Sequence, residues 1–257
     1  MALGTSAWAA SIYALPGAFG AQAAKPGSVV VLKSVSRPST TTPTPTVSPT
    51  PTPAPAPAPS QKPIVLSEGD SISVFWAGNH TGIYARNTPG VTFFGKAVGG
   101  SGIKGGNSLE ARFAADVALK PNYVTILIGA NDLTGYPSAD DWLDTLWAYV
   151  AKWKETGAKV AVATVLPTCL PQFPAATAEH ATRRRIANAA IRAAVSGKID
   201  AVIDYAADPV MGPDSAACNR MLYSDGLHPT DGTAGDANGQ GKLAVVYTAA
   251  VNGMINR

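Results

Sequence analysis

The chain has 257 residues, of which 46% are hydrophobic and 14% charged, with a formal net charge of +3. That length allows one or two domains and a sizeable core. The weak charge, with no dense basic face, argues against a nucleic-acid partner, and two cysteines are too few for a disulfide scaffold and lack the clustering of a metal site.

Residues 2–24 are uncharged and Ala-rich, and Ala21-Gln22-Ala23 has the small-x-small pattern of a signal-peptidase site, although no Lys or Arg precedes the apolar region. We read this as an export leader. Pro16 and the glycines make it a poor membrane span, so no stable span is expected. Residues 25–61 form a linker. From Arg37 to Ser60 it repeats Thr-Pro and Ala-Pro pairs, which cannot build a packed core and favour an extended spacer of about 3 Å per residue. The folded domain is then residues 62–257, exported to a secreted, periplasmic or cell-surface location and expected as a monomer.

Ile64-Val65-Leu66 reads as a buried strand that turns at Gly69-Asp70-Ser71 into a segment helical from Ile72 and broken by Gly78 and Gly82. A second strand, 91–98, runs into the glycine-rich Gly99-Gly100-Ser101-Gly102. Asn107 to Lys120 has helical spacing, with Asn107 as cap and Glu110 as its capping-box partner. The run 123–128 is a strand covered on both faces, ending at Gly129-Ala130-Asn131-Asp132. A helix over 138–156, a strand over 159–166, a helix over 175–195, a strand over 201–204 and a last helix over 239–255 complete the series. Strands alternating with helices predict about five parallel strands in a three-layer α/β/α sandwich. Right-handed crossovers put the turns after the strands on one edge.

Four of these turns carry chemistry. Ser71 stands where a strand ends and backbone N–H groups lack partners, which makes it a candidate nucleophile; a plain turn serine is the bland alternative. Acyl transfer by serine needs a base, a carboxylate to fix the base's tautomer, and donors for the oxyanion. Of the three histidines, only His228 lies in a loop at the expected edge, with Asp225 three residues before it in a glycine-containing turn. His80 and His180 read as packing or surface residues. The amide of Asn131, a glycine N–H within 99–102 and the N–H of Ser71 are candidate donors.

The four segments Gly69-Asp70-Ser71, Gly99 to Gly102, Gly129-Ala130-Asn131-Asp132 and Asp225-Gly226-Leu227-His228, in that order, resemble the blocks of the SGNH (GDSL-type) hydrolases. The resemblance implies a flavodoxin-like fold and a Ser71–His228–Asp225 triad. It also implies an oxyanion hole of Ser71, Asn131 and a glycine, with Gly102 the choice and Gly100 in reserve. Ala97 stands where the family's second block often has Asn. The implied activity is hydrolysis of carboxylic esters of short-chain acyl or acetyl groups on small molecules or polysaccharides. No cofactor is needed. Acyl transfer to another acceptor, or a non-catalytic glycan- or wall-binding module, are the alternatives.

Cys169, after the fourth strand, and Cys218, before the Asp225–His228 loop, should share one edge and form a disulfide; two free thiols are the alternative. Arg183, Arg184, Arg185 and Arg192 read as a solvated helix face. Phe75 and Trp76 follow the nucleophile closely enough to line its pocket or to pack beneath it.

Overall fold

Each apolar run becomes a strand in the computed structural model, which describes residues 61–233 and 237–257. The expected leader and nearly all of the spacer lie outside the described residues. β1 (Ile64–Gly69), β2 (Thr92–Gly95), β3 (Tyr123–Leu127), β4 (Lys159–Ala163) and β5 (Ala201–Ile203) form one five-stranded sheet in the order β2-β1-β3-β4-β5, every pair parallel. The order steps back from β1 to β2 and forward from β1 to β3. The switch point of the sheet therefore lies between β1 and β3, where open α/β sheets place their ligands.

Helices cover both faces. α1 (His80–Asn87) and α5 (Gly239–Ile255) lie on one side; α2 (Leu109–Val117), α3 (Ala139–Glu155) and α4 (Pro174–Ala193) lie on the other. Val124, Ile126, Val160 and Val162 meet Trp142, Leu146, Tyr149 and Trp153 of α3 in one core. Val65, Ala161 and Ile203 meet Tyr84, Leu243, Tyr247 and Val251 in the other. Because successive strand side chains point to opposite faces, a run apolar at every position feeds both cores. The three-layer α/β/α architecture expected from the alternation is the one observed. Among the described residues no helix is long and apolar enough to cross a membrane.

Several local expectations are corrected. The segment after Ser71 makes only a single 3-10 turn, Ser71–Ser73, before the chain straightens at Val74. The Ile72 carbonyl accepts from the side chains of Asn79 (2.7 Å) and Gln240 (3.1 Å), so it is not available to continue a helix. Gly82 does not break α1. It lies inside the helix, where a Cβ would stand 2.0 Å from the Trp76 carbonyl oxygen. The cap of α2 is Ser108, whose hydroxyl accepts from the Ala111 N–H at 3.2 Å, rather than Asn107; Glu110 pairs with Lys152 at 3.0 Å instead of closing a capping box.

Of the α4 arginines expected on a solvated face, Arg185 and Arg192 are exposed, but Arg183 and Arg184 are turned to other work. Arg184 is buried and donates to the Gly212 carbonyl and to Asp214 at 2.6 Å, while Arg183 ties α4 to the carbonyls of Leu133 and Tyr136. Cys169 and Cys218 form a disulfide. It closes a loop of 49 residues, for which the loop-entropy model gives about 4 kcal/mol. Reduction, or the C169S/C218S pair, is expected to lower the urea unfolding free energy by about that amount; an unchanged midpoint in reductant would contradict this.

Candidate active site

β1 pairs with β3 in a register that sets Gly69 beside Leu127. The turns that leave these strands therefore emerge side by side. Gly69, at φ +157 with the Leu127 carbonyl 2.4 Å from where its Cβ would be, has no room for a side chain. Asp70 is buried and accepts from the Ile72 N–H at 3.0 Å, and its own carbonyl accepts from the Ser73 N–H at 3.1 Å. It caps the turn and fixes the direction in which Ser71 leaves it.

The partner of Ser71 comes from a loop before α5. Gly226, at φ +87, allows the chain to double back between Asp225 and His228. One Asp225 oxygen accepts the N–H groups of Leu227 (2.9 Å) and His228 (2.8 Å). The other accepts from His228 Nδ1 at 2.6 Å. With its proton held on Nδ1, the imidazole offers Nε2 as an acceptor, and Nε2 lies 2.8 Å from Ser71 Oγ. Burial acts to raise the Asp225 pKa, but the N–H groups and the imidazole outweigh it and hold the carboxyl down to about 2. It is ionised throughout the neutral range, as a group that orients an imidazole must be. The loop rests on the disulfide. A Cβ on Gly226 would fall 1.9 Å from the Cys169 carbonyl oxygen, and the Cys169 N–H donates to the Gly226 carbonyl at 2.7 Å.

The turns after β2 and β3 meet beside this relay. Asn131 Nδ2 donates to the Ser101 carbonyl at 3.0 Å, joining the third segment to the second. Asp132, which sequence reasoning left without a role, braces the same junction. Its oxygens accept from the Ile103 N–H at 2.8 Å and from Trp142 Nε1 at 3.1 Å, and its side chain fills the place a Cβ on Gly102 would need. Gly100 has φ +74, a backbone conformation that favours glycine, and a Cβ on Gly99 would lie 3.9 Å from Ser71 Cβ. The structure thus brings Ser71, His228 and Asp225 into one hydrogen-bonded chain and sets the 99–102 loop and Asn131 next to each other at the same edge. His80 and His180 are buried elsewhere, His80 against Gln240, as packing histidines.

A family model described as GDSL-like lipase/acylhydrolase matches residues 69–233, more than half of the chain. The chain belongs to that family. No curated protein matches it. Among solved structures, a GDSL-like lipase from Bacteroides thetaiotaomicron is 23% identical, with a TM-score of 0.58 over 78% of this chain and 91% of that one. A psychrotrophic esterase from a Pseudoalteromonas species is 16% identical, TM-score 0.53, over 76% and 99%. An acetyl xylan esterase is 20% identical, TM-score 0.54, over 72% and 98%. At these identities the likeness is one of fold, and it agrees with the GDSL assignment.

Beneath the Gly69-Asp70-Ser71 turn lies a buried polar floor that the sequence did not disclose. Glu68 of β1 accepts from the Tyr149 hydroxyl at 2.7 Å and from Trp153 Nε1 at 3.0 Å. Burial, reinforced by the nearby charge of Asp116, pushes its carboxyl up to about 8 against those two bonds. Arg112 of α2 reaches Ser101 Oγ (2.8 Å) and the Gly69 carbonyl (3.5 Å), linking the first and second segments from below. Between about pH 4.5, where a carboxyl of the unfolded chain releases its proton, and about pH 8, native Glu68 keeps a proton that the unfolded chain has lost. Stability should therefore fall as pH rises through that window, at a slope of up to about 1.4 kcal/mol per pH unit. Glu68→Gln removes the titration, and Gln can still satisfy both partners: its carbonyl accepts from Trp153 Nε1, and its amide donates to the Tyr149 oxygen, whose proton turns to the Leu109 carbonyl, 3.3 Å away. Urea midpoints of the wild type and E68Q should diverge in favour of E68Q between pH 5 and pH 8; parallel curves would show that Glu68 does not carry the shift.

Proposed function

We propose that this chain is a serine esterase that cleaves short-chain acyl or acetyl esters, carbohydrate-borne ones among them, through an acyl-enzyme. Ser71 is the nucleophile, His228 the general base and Asp225 the carboxylate that orients it. The observation that carries this reading is the unbroken chain from Ser71 Oγ through both imidazole nitrogens to Asp225, at 2.8 and 2.6 Å. Membership of the GDSL family supports it, as do fold neighbours described as esterases, one of them an acetyl xylan esterase.

In this mechanism His228 Nε2 takes the Ser71 proton as Oγ attacks the ester carbonyl. The imidazolium that forms sits against the Asp225 carboxylate. Charge on the tetrahedral oxygen is met by the Ser71 N–H, the Gly102 N–H (or that of Gly100) and the Asn131 amide, whose second proton remains after the first is used on Ser101. His228 then returns its proton to the leaving alcohol, and water repeats the sequence on the acyl-enzyme. The disulfide and the leader-like sequence support an exported enzyme, because disulfides persist in oxidising compartments.

Ser71→Ala should abolish hydrolysis of 4-nitrophenyl acetate while leaving the circular dichroism spectrum and melting temperature in place; a variant that still turns over would refute the assignment. Asn131→Ala should lower kcat by about 10²–10³ with little change in KM, because an oxyanion donor acts in the transition state. A rise in KM alone would place Asn131 in ground-state binding instead.

A further inference from the structure

Two aromatic side chains stand exposed on the segment between the Ser71 turn and α1, Phe75 at 48% and Trp76 at 45%. Phe75 has a packing explanation. Its ring stacks on Phe93 with centroids 5.6 Å apart and lies against Gly95, where a Cβ would be 2.7 Å from the ring. Trp76 is held differently. Its carbonyl accepts from the Asn79 N–H at 3.1 Å and is closely approached by α1 at Gly82, where a Cβ would stand 2.0 Å away. The six-membered part of its indole lies against Gly78, 2.3 Å from where a Cβ would be. Two glycines thus fix both the backbone and the ring, while nearly half of the residue faces water.

Gly78 also joins this ring to the segment that follows His228. Its carbonyl accepts from the Gly232 N–H at 2.9 Å, and its missing Cβ would lie 2.0 Å from Asp231 Oδ1. That oxygen is itself fixed by the N–H (2.7 Å) and hydroxyl (2.6 Å) of Thr233. A rigid aromatic surface and an exposed carboxylate therefore flank one glycine, five residues after the proposed nucleophile and three after the proposed base. An exposed indole leaves apolar surface in water until a ligand covers it, and a surface already held in place binds without the cost of ordering it.

We propose that Trp76 and Asp231 form a sugar subsite, the ring stacking on the C–H face of a pyranose and the carboxylate accepting from its hydroxyls. An acyl chain would cover the ring but leave the carboxylate stripped of water. A quaternary ammonium is enclosed best by several rings, and here Phe75 is committed to Phe93. The ligand class is an acetylated oligosaccharide. This rests on Ser71 acting as the esterase nucleophile.

The test compares kcat/KM for acetylated xylohexaose with that for 4-nitrophenyl acetate, with acetylcholine as a third substrate, in the wild type, W76A, W76F and W76L. The expected result is a fivefold to tenfold fall in the oligosaccharide-to-nitrophenyl ratio for W76A, about the span of one aromatic contact, with W76F recovering most of it and W76L little. An unchanged ratio, equal recovery by W76L, an equal fall on acetylcholine, or a wild type active on 4-nitrophenyl acetate alone would each overturn the subsite. Persistent hydrolysis of both esters by S71A would instead overturn the esterase reading on which it rests.

Discussion

The parallel pairing of β1 with β3 is the constraint on which the site depends. Both strands run the same way, so both end at one edge, and a register that sets Gly69 beside Leu127 makes their exit turns neighbours. Ser71 comes from one turn and Asn131 from the other, though 60 residues of sequence separate them. Nothing about either tripeptide alone dictates this closeness. It follows from the two hydrophobic layers that bury both faces of the sheet: slipping the strand by one residue would turn Leu66 and Ile126 out of the core they share. The positions of the proposed nucleophile and the proposed oxyanion donor are thus set by apolar packing.

The third contributor is positioned by other means. His228 lies in a loop outside the sheet, closed by an isolated antiparallel bridge between Tyr223 and Pro229 in which the Ser224 N–H donates to the His228 carbonyl at 2.9 Å. Its place is set by a short local circuit, in which Asp225 accepts two backbone N–H groups and the imidazole within four residues, and by docking of Gly226 onto Cys169. The disulfide lies under that contact. A loop that must meet a rigid edge at hydrogen-bond distance cannot rely on side-chain burial alone, since Asp225 and His228 are both partly open to water. A covalent link below and a closed hydrogen-bond ring above replace the packing that a strand would have supplied.

These two modes of positioning explain what could be read in advance. Apolar runs and their period disclosed the strands, the layers and the edge, and α5 begins and ends where its pattern does. The Asp225-to-His228 spacing was legible because the circuit is local. What escaped was whatever depends on a distant acceptor. Arg184 lies in a run of three arginines with nothing in the sequence to distinguish it from its neighbours; the Gly212 carbonyl and Asp214 that bury it arrive from a separate loop. Asn107 was read as the cap of α2, but its amide donates to the Gly99 carbonyl at 3.3 Å, and the hydroxyl of Ser108 takes the Ala111 N–H instead. Asp132 looked like one more turn residue until α3 brought Trp142 to it.

The buried acids beneath the turn bear on the chemistry proposed above it. An oxyanion forming at Ser71 would be repelled by fixed negative charge in the low-dielectric floor, where such repulsion is poorly screened. Glu68 lies in that floor, yet burial keeps its carboxyl protonated up to about pH 8, so it occupies its hydrogen-bonded site without adding charge. Asp70 is nearer the nucleophile, and burial, only partly offset by the Ile72 N–H, raises it to about 7. Asp225, in contrast, is open enough to water and supplied with enough donors to remain ionised. Three carboxyls near one serine are thus sorted by environment. The two that serve the fold are held toward neutrality, and the one in contact with the imidazole carries the charge that an imidazolium needs beside it.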